Sequence, residues 1–328
     1  MFSEPSASNF AILDYYIPSD LITFPPIPPS TTAGLCGNDE DLGSGGVLLP
    51  PNYQYTGSND QCSLGCSVVI NADKQSNLYA TNQKSLGGYV GSSSTACPGN
   101  NLQCITTPAI PANNPTQGYW ASPAYWFDGS NSWLYYAATM NGSALLCPNQ
   151  MPCSNGYAPP GVSPEALNAY KLQSSGSPGP IPSATPYASS GTSNPYPILF
   201  CDYSPTPSVS SNQNSAASGI VWAIERNQNN DNLPNHNPQD CAPPANGSGG
   251  HPRGNPAALH AFCAEAGSQE CPTALTEIYT SRILKINLPA QAHAFPTPTV
   301  FNGQVYMGTD KEIDVFGLCS SQSGGCLK

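Results

Sequence analysis

The chain has 328 residues, room for one large domain or two ordinary ones, and carries 9 basic against 20 acidic side chains, a net charge of −11. Charged residues are only 9%, against about 25% in an average soluble protein, and no Lys/Arg cluster occurs, so the chain lacks what a nucleic-acid partner requires. Gly (30) and Pro (36) interrupt nearly every window, which argues against long helices, and no apolar run approaches the length of a membrane span.

In chain order, residues 9–20 read as a strand ended by Pro18, and 24–35 as a Pro-rich exposed insertion. Asn38 to Pro50 runs from acidic residues through a glycine-rich turn into an apolar strand. Residues 67–71 and 77–81 form a hairpin turning at Asp73 to Ser76; 91–116 is Ser/Pro/Asn-rich. The pattern resumes at 118–127, turns at Asp128 to Asn131, and continues through 132–139 and 166–172. The run 173–197 reads as surface loop. Residues 204–211 lead into 219–225, and after a long polar insertion at 227–256 come strands at 257–264 and 276–280.

The closing stretch from Ala294 to Leu318 is a three-stranded meander. Thr297 to Phe301 and Gln304 to Gly308 flank Asn302-Gly303, a strong two-residue hairpin signal. Val305 and Met307 fall on one face and Tyr306 on the other, and Ile313, Val315 and Phe316 belong to the third strand. Such a meander cannot bury its faces alone, so its repetition matters.

Four units share one internal order, at about 40–95, 118–200, 204–288 and 289–320. Repeated antiparallel units whose neighbours bury what one cannot predict an all-β β-propeller over 1–328, a single or partial propeller domain with long Pro/Ser/Gly-rich insertions. The rival is a β-sandwich of the same strands. Gly219-Ile-Val-Trp-Ala-Ile-Glu, Ala258-Leu-His-Ala-Phe, Phe295 to Thr309, Asp41-Leu-Gly-Ser-Gly-Gly and Asn77-Leu-Tyr-Ala-Thr-Asn resemble the pyrroloquinoline-quinone-like (quinoprotein-like) β-propeller repeats of secreted bacterial proteins. The resemblance implies seven or eight blades in the full ring, of which four would be the C-terminal part.

Thirteen cysteines suit an oxidising compartment, extracellular or periplasmic, better than the reduced cytosol. Local disulfides are expected at Cys97–Cys104, Cys147–Cys153, Cys263–Cys271 and Cys319–Cys326, with Cys62-x-x-x-Cys66 a tighter pair. Metal binding by thiolates is the rival, but the paired short Cys/His spacing of zinc sites is absent. The odd count leaves at least one thiol free or paired outside the chain. Residues from Met1 to Phe10 have neither the basic nor the apolar region of a signal peptide. An exported body without an export signal suggests a fragment of a longer chain.

Asp39 and Asp41, with Glu40, precede the Gly43-Ser-Gly-Gly turn and are the candidate metal ligands, for calcium; solvated acids in a turn are the plainer reading. His236, His251 and His293 are scattered, and His260 reads as a hydrogen-bonded residue of a strand. Trp222 reads as inter-blade core. The resemblance implies a quinone stacked on a Trp and a pair of adjacent cysteines, and this chain has no Cys-Cys pair, so pyrroloquinoline quinone is not expected on this chain alone.

The expected function is an exported, non-catalytic propeller serving as a binding or assembly platform for a protein or carbohydrate partner. The alternative is a quinone- or metal-dependent oxidoreductase whose remaining site lies on missing blades. A third reading is a cofactor-free propeller enzyme, such as a carbohydrate-active one, which would need paired carboxylates at the axis.

Overall fold

The computed structural model describes residues 16–17, 45–57, 62–73, 77–86, 88–89, 103–106, 121–139, 165–177, 179–192, 198, 200, 205–225, 257–281, 292 and 296–317. Their regular structure is almost wholly β. β1 (Tyr16–Ile17) makes a short parallel pair with β4 (Gly88–Tyr89). All other strands pair antiparallel, in four sheets that follow the chain.

The first sheet has the order β2 (Val68–Ala72), β3 (Asn77–Asn82), β5 (Gln103–Thr106). Bridges Leu48–Ile70 and Tyr55–Cys66 lay the preceding segment along β2. The second sheet is β6 (Ala124–Phe127), β7 (Ser132–Thr139), β8 (Glu165–Leu172), β9 (Ala188–Ser189). The third is β10 (Ser208–Ser210), β11 (Ile220–Glu225), β12 (Ala258–Cys263), β13 (Glu277–Thr280). The fourth is the closing meander, β14 (Thr299–Phe301), β15 (Gln304–Gly308) and β16 (Ile313–Gly317). Asn302 and Gly303 turn its first hairpin with φ of 49° and 73°. This is the double left-handed geometry of a tight hairpin whose twist matches the strands.

Two strands lie where the sequence reads as loop. β5 falls inside the 91–116 insertion and pairs with β3 from Asn77↔Thr106 to Ala80↔Gln103. β9 falls inside the 173–197 run and pairs with β8 at Asn168↔Ser189 and Ala169↔Ala188. Both are short outer strands, of four and two residues, paired on one side only among the described residues, so neither is long enough to show a clean apolar alternation.

Strand alternation builds the core, and the core lies between sheets. On β7, Leu134 and Tyr136 face the first sheet and pack with Val68, Ile70, Leu78 and Ala80. The alternate residues Trp133 and Tyr135 face the third sheet and pack with Val221, Ala223 and Phe262. On β11, Ile224 turns the other way and joins Leu259, Val305 and Met307 against the fourth sheet, with Trp222 half-buried beside them. Trp222 is thus an inter-blade residue, its Nε1 donating to Ser210 Oγ at 2.8 Å. The second and third sheets bury both faces. A two-sheet sandwich leaves each sheet one outer face.

The first strands β6, β10 and β14 lie side by side with β10 in the middle, so the sheets fan out from a common line. Four antiparallel sheets stacked in chain order around their first strands are blades of a β-propeller. Contact between blades is close at Gly219, where a Cβ would lie 2.7 Å from Ala264 Cβ and 2.8 Å from the Trp126 ring, so a side chain there would push the second and third sheets apart.

Disulfides close Cys62–Cys66 and Cys263–Cys271, two of the pairs expected from spacing. The expected pairs Cys97–Cys104, Cys147–Cys153 and Cys319–Cys326 lie outside the described side chains.

Candidate binding groove

Antiparallel pairing puts the β6–β7 turn, the β10–β11 loop and the chain leaving β8 at one end of the blades. The segment 51–54 joins them, held by Tyr53 OH donating to Gln173 O at 2.5 Å and Thr56 N donating to Ser174 O at 2.8 Å. Between these four segments lies a groove of about 860 Å³ that spans the first three blades.

Its walls are aromatic and amide. Tyr53, Tyr125 and Trp126 line it beside Phe127, which is 37% exposed. Burial pushes the Tyr53 phenol well above its ordinary pKa, with Tyr125 and Tyr55 adding to the effect, so Tyr53 stays a neutral donor. Tyr125 and Ser132 share a hydrogen bond of 2.9 Å between their hydroxyls. Amides come from every segment: Gln54, Asn131, Gln173 and Asn214 among them. Among the described residues the lining holds one cation, Lys171, and no carboxylate or imidazole. Lys171 Nζ sits 5.7 Å from the Trp133 ring centroid, a cation–π arrangement.

The β6–β7 turn is fixed by Asp128, which is buried and saturated with donors. Its Oδ1 accepts from Ser130 N (2.7 Å) and Asn131 N (2.5 Å), and its Oδ2 from Asn131 Nδ2 (2.8 Å) and Trp133 Nε1 (2.9 Å). Burial alone would raise this carboxyl, but the bonds from Trp133 and Asn131 outweigh it and hold it well below the usual carboxylate range. Glu265 of the third blade lies near Asp128 and accepts from Ala217 N. Burial raises the Glu265 pKa, the Ala217 bond lowers it, and the nearby Asp128 carboxylate raises it further, for a net rise. Tyr135 OH donating to Ala264 O at 2.9 Å ties the second blade to the third beside the groove.

A second buried acid cluster lies away from the groove. His260 is 1% exposed on β12, with Nδ1 2.6 Å from Glu277 Oε1 and Nε2 3.2 Å from Glu225 Oε2. Phe262 stacks on its ring at a centroid distance of 6.1 Å, and Phe200 meets it edge-on at 5.6 Å. Burial lowers the imidazole pKa, but the two carboxylate hydrogen bonds outweigh it and the net direction is upward. His260 is therefore a hydrogen-bonded strand residue that joins β11, β12 and β13.

The candidate calcium ligands Asp39 and Asp41 lie outside the described residues, as do His236, His251 and His293. Among the described residues no group of three His, Cys, Asp or Glu side chains is placed to hold a metal ion, and no helix is long and apolar enough to cross a membrane. The groove itself was not legible in the sequence. Its walls come from positions as far apart as Pro51 and Asn214, from strand ends together with the turns and loops beside them. The one local signal was the aromatic run Tyr125-Trp126-Phe127 ahead of an Asp-Gly turn.

No protein-family model matches the sequence, and no curated protein matches it. Among solved structures the chain is similar to BamB from Moraxella catarrhalis, a pyrroloquinoline-quinone-like β-propeller, over 83% of this chain and 46% of that one, at 10% identity and a TM-score of 0.30. The chain thus spans about half the length of that protein. A likeness at that level carries no argument, and the propeller assignment rests on the sheet order and on the cores between the sheets.

Proposed function

We propose that this chain is an exported, non-catalytic β-propeller that serves as a binding platform, and that it takes its partner at the groove end of the blades. The observation that carries the reading is the groove, which spans three blades and is walled by aromatic and amide side chains set on braced turns. Concave sites with apolar walls and a few placed polar groups are where proteins hold ligands. Disulfides at Cys62–Cys66 and Cys263–Cys271 support an oxidising compartment, periplasmic or extracellular. We read 1–328 as a single partial propeller, with units near 40–95, 118–200, 204–288 and 289–320, belonging to a ring of seven or eight blades.

The test compares the two ends of the blades. A photo-crosslinking residue is placed at Ser174 or Gln213 in the groove, and at Thr309 in the β15–β16 turn at the opposite end. Crosslinks to a discrete partner at the groove positions and none at Thr309 are expected in the producing cell. Crosslinks at Thr309 alone, or at neither end, would overturn the proposal.

A further inference from the structure

We infer that the groove binds a neutral oligosaccharide, a reading that rests on the platform function above and specifies its ligand. The orientation of three amides sets the chemistry. Gln54 Nε2 donates to Ser67 Oγ at 2.8 Å, Asn131 Nδ2 to Asp128 Oδ2 at 2.8 Å, and Gln173 Nε2 to Gly179 O at 2.7 Å. The Asp128 carboxylate and the Gly179 carbonyl can only accept, so the Asn131 and Gln173 amides cannot flip without losing those bonds. Each of the three amides has its nitrogen held by protein, and its side-chain oxygen has no donor among the described residues. The groove therefore offers acceptors already set in place, and its ligand must bring donors.

Charge narrows the class. The whole chain carries −11, yet among the described residues the groove lining has no carboxylate and a single ammonium, Lys171. Without a carboxylate to pair with, an ammonium ligand gains little and meets Lys171 as a like charge. A polyanion would need several cations, and one is present. A sugar hydroxyl is neutral and both donates and accepts, so one ring can give to the amide oxygens and take from Lys171 Nζ. Phe127, 37% exposed, and half-buried Tyr125 provide apolar surface for the C–H face of a pyranose. A main-chain peptide fits less well, because the walls are turns and side chains rather than the open strand edge that an added strand requires. A volume of about 860 Å³ falls within the range of ligand-sized clefts.

The test titrates the full chain with cellohexaose, maltohexaose and chitohexaose, followed by indole fluorescence, for which Trp126 in the wall is the reporter, and by calorimetry. Saturable binding of at least one hexasaccharide is expected, weakened about tenfold or more in Phe127→Ala and in Gln173→Ala. Near-ultraviolet circular dichroism matching the parent separates lost contacts from lost folding, and two variants keep the test open should one misfold. No saturable response to any of the three up to about 10 mM, or binding unchanged in both folded variants, would overturn the saccharide. A protein crosslinked at Ser174 or Gln213 without saccharide binding overturns this inference alone and leaves the platform standing. Crosslinks confined to Thr309 with no saccharide binding overturn both.

Discussion

The face that the third blade turns toward the second, and the outward face of the fourth, are built from the same kind of strand and meet opposite fates. On the first, Val221, Ala223 and Phe262 are fully buried against Trp133, Tyr135 and Leu167. On the second, Phe301, Ile313 and Val315 are 69%, 72% and 51% exposed. The alternation is sound in both, since Val305 and Met307 on the inner face of the same meander are buried. A strand decides which residues share a face, and only the neighbouring sheet decides whether that face becomes core.

The sharpest way to break this comparison is a pair of truncations. Phe262→Ala removes a ring buried between two blades, and such a loss should cost about 3–5 kcal/mol in chemical denaturation. Ile313→Ala on the outward face should cost less than about 0.5 kcal/mol. Equal losses would mean that the outward face is covered in solution.

Removing the Cys263–Cys271 bridge by a double Ser substitution tests how far the third blade depends on covalent help. The loop closed is short, a separation of eight residues, so the expected loss is about 2–3 kcal/mol. A much larger loss, read from the denaturation midpoint, would show that the bridge supports the inter-blade core rather than the loop.

The His260 cluster sharpens the comparison with pH, because it lies on the face that the outward sheet lacks. Its folded pKa is raised above the unfolded value, so its stabilisation is fully present below about pH 6.5 and is lost as pH rises through the folded pKa. A neutral ring can donate to only one of Glu225 and Glu277, so one of the two imidazole–carboxylate hydrogen bonds is lost. Stability followed by denaturation should therefore fall as pH rises above that point, and His260→Gln should flatten that slope. An unchanged slope in the variant would show that other groups carry it.

The smallest expected effect is at the groove. Gln213→Ala, on its exposed rim, should leave stability within about 0.5 kcal/mol of the parent. A larger loss in thermal unfolding would show that the rim props the blades.

The sequence by itself determined the local structure. Apolar alternation marked β2, β3, β7, β8, β11, β12 and the closing meander, and Asn302-Gly303 marked the turn that its double left-handed backbone makes. Recurrence of one strand order told a propeller from a sandwich, and short cysteine spacing foretold the Cys263–Cys271 bridge. These are local properties, set by the covalent chain within a few residues. Tertiary structure alone decided the rest. β5 and β9 exist because a neighbouring strand offers them hydrogen bonds, though their own residues scarcely ask for strand. Tyr135 donates to Ala264 O because two blades meet, and Gln54, Asn131 and Gln173 line one groove because turns from separate blades converge at one end. Such juxtapositions join residues far apart in sequence, and no periodicity along the chain records them.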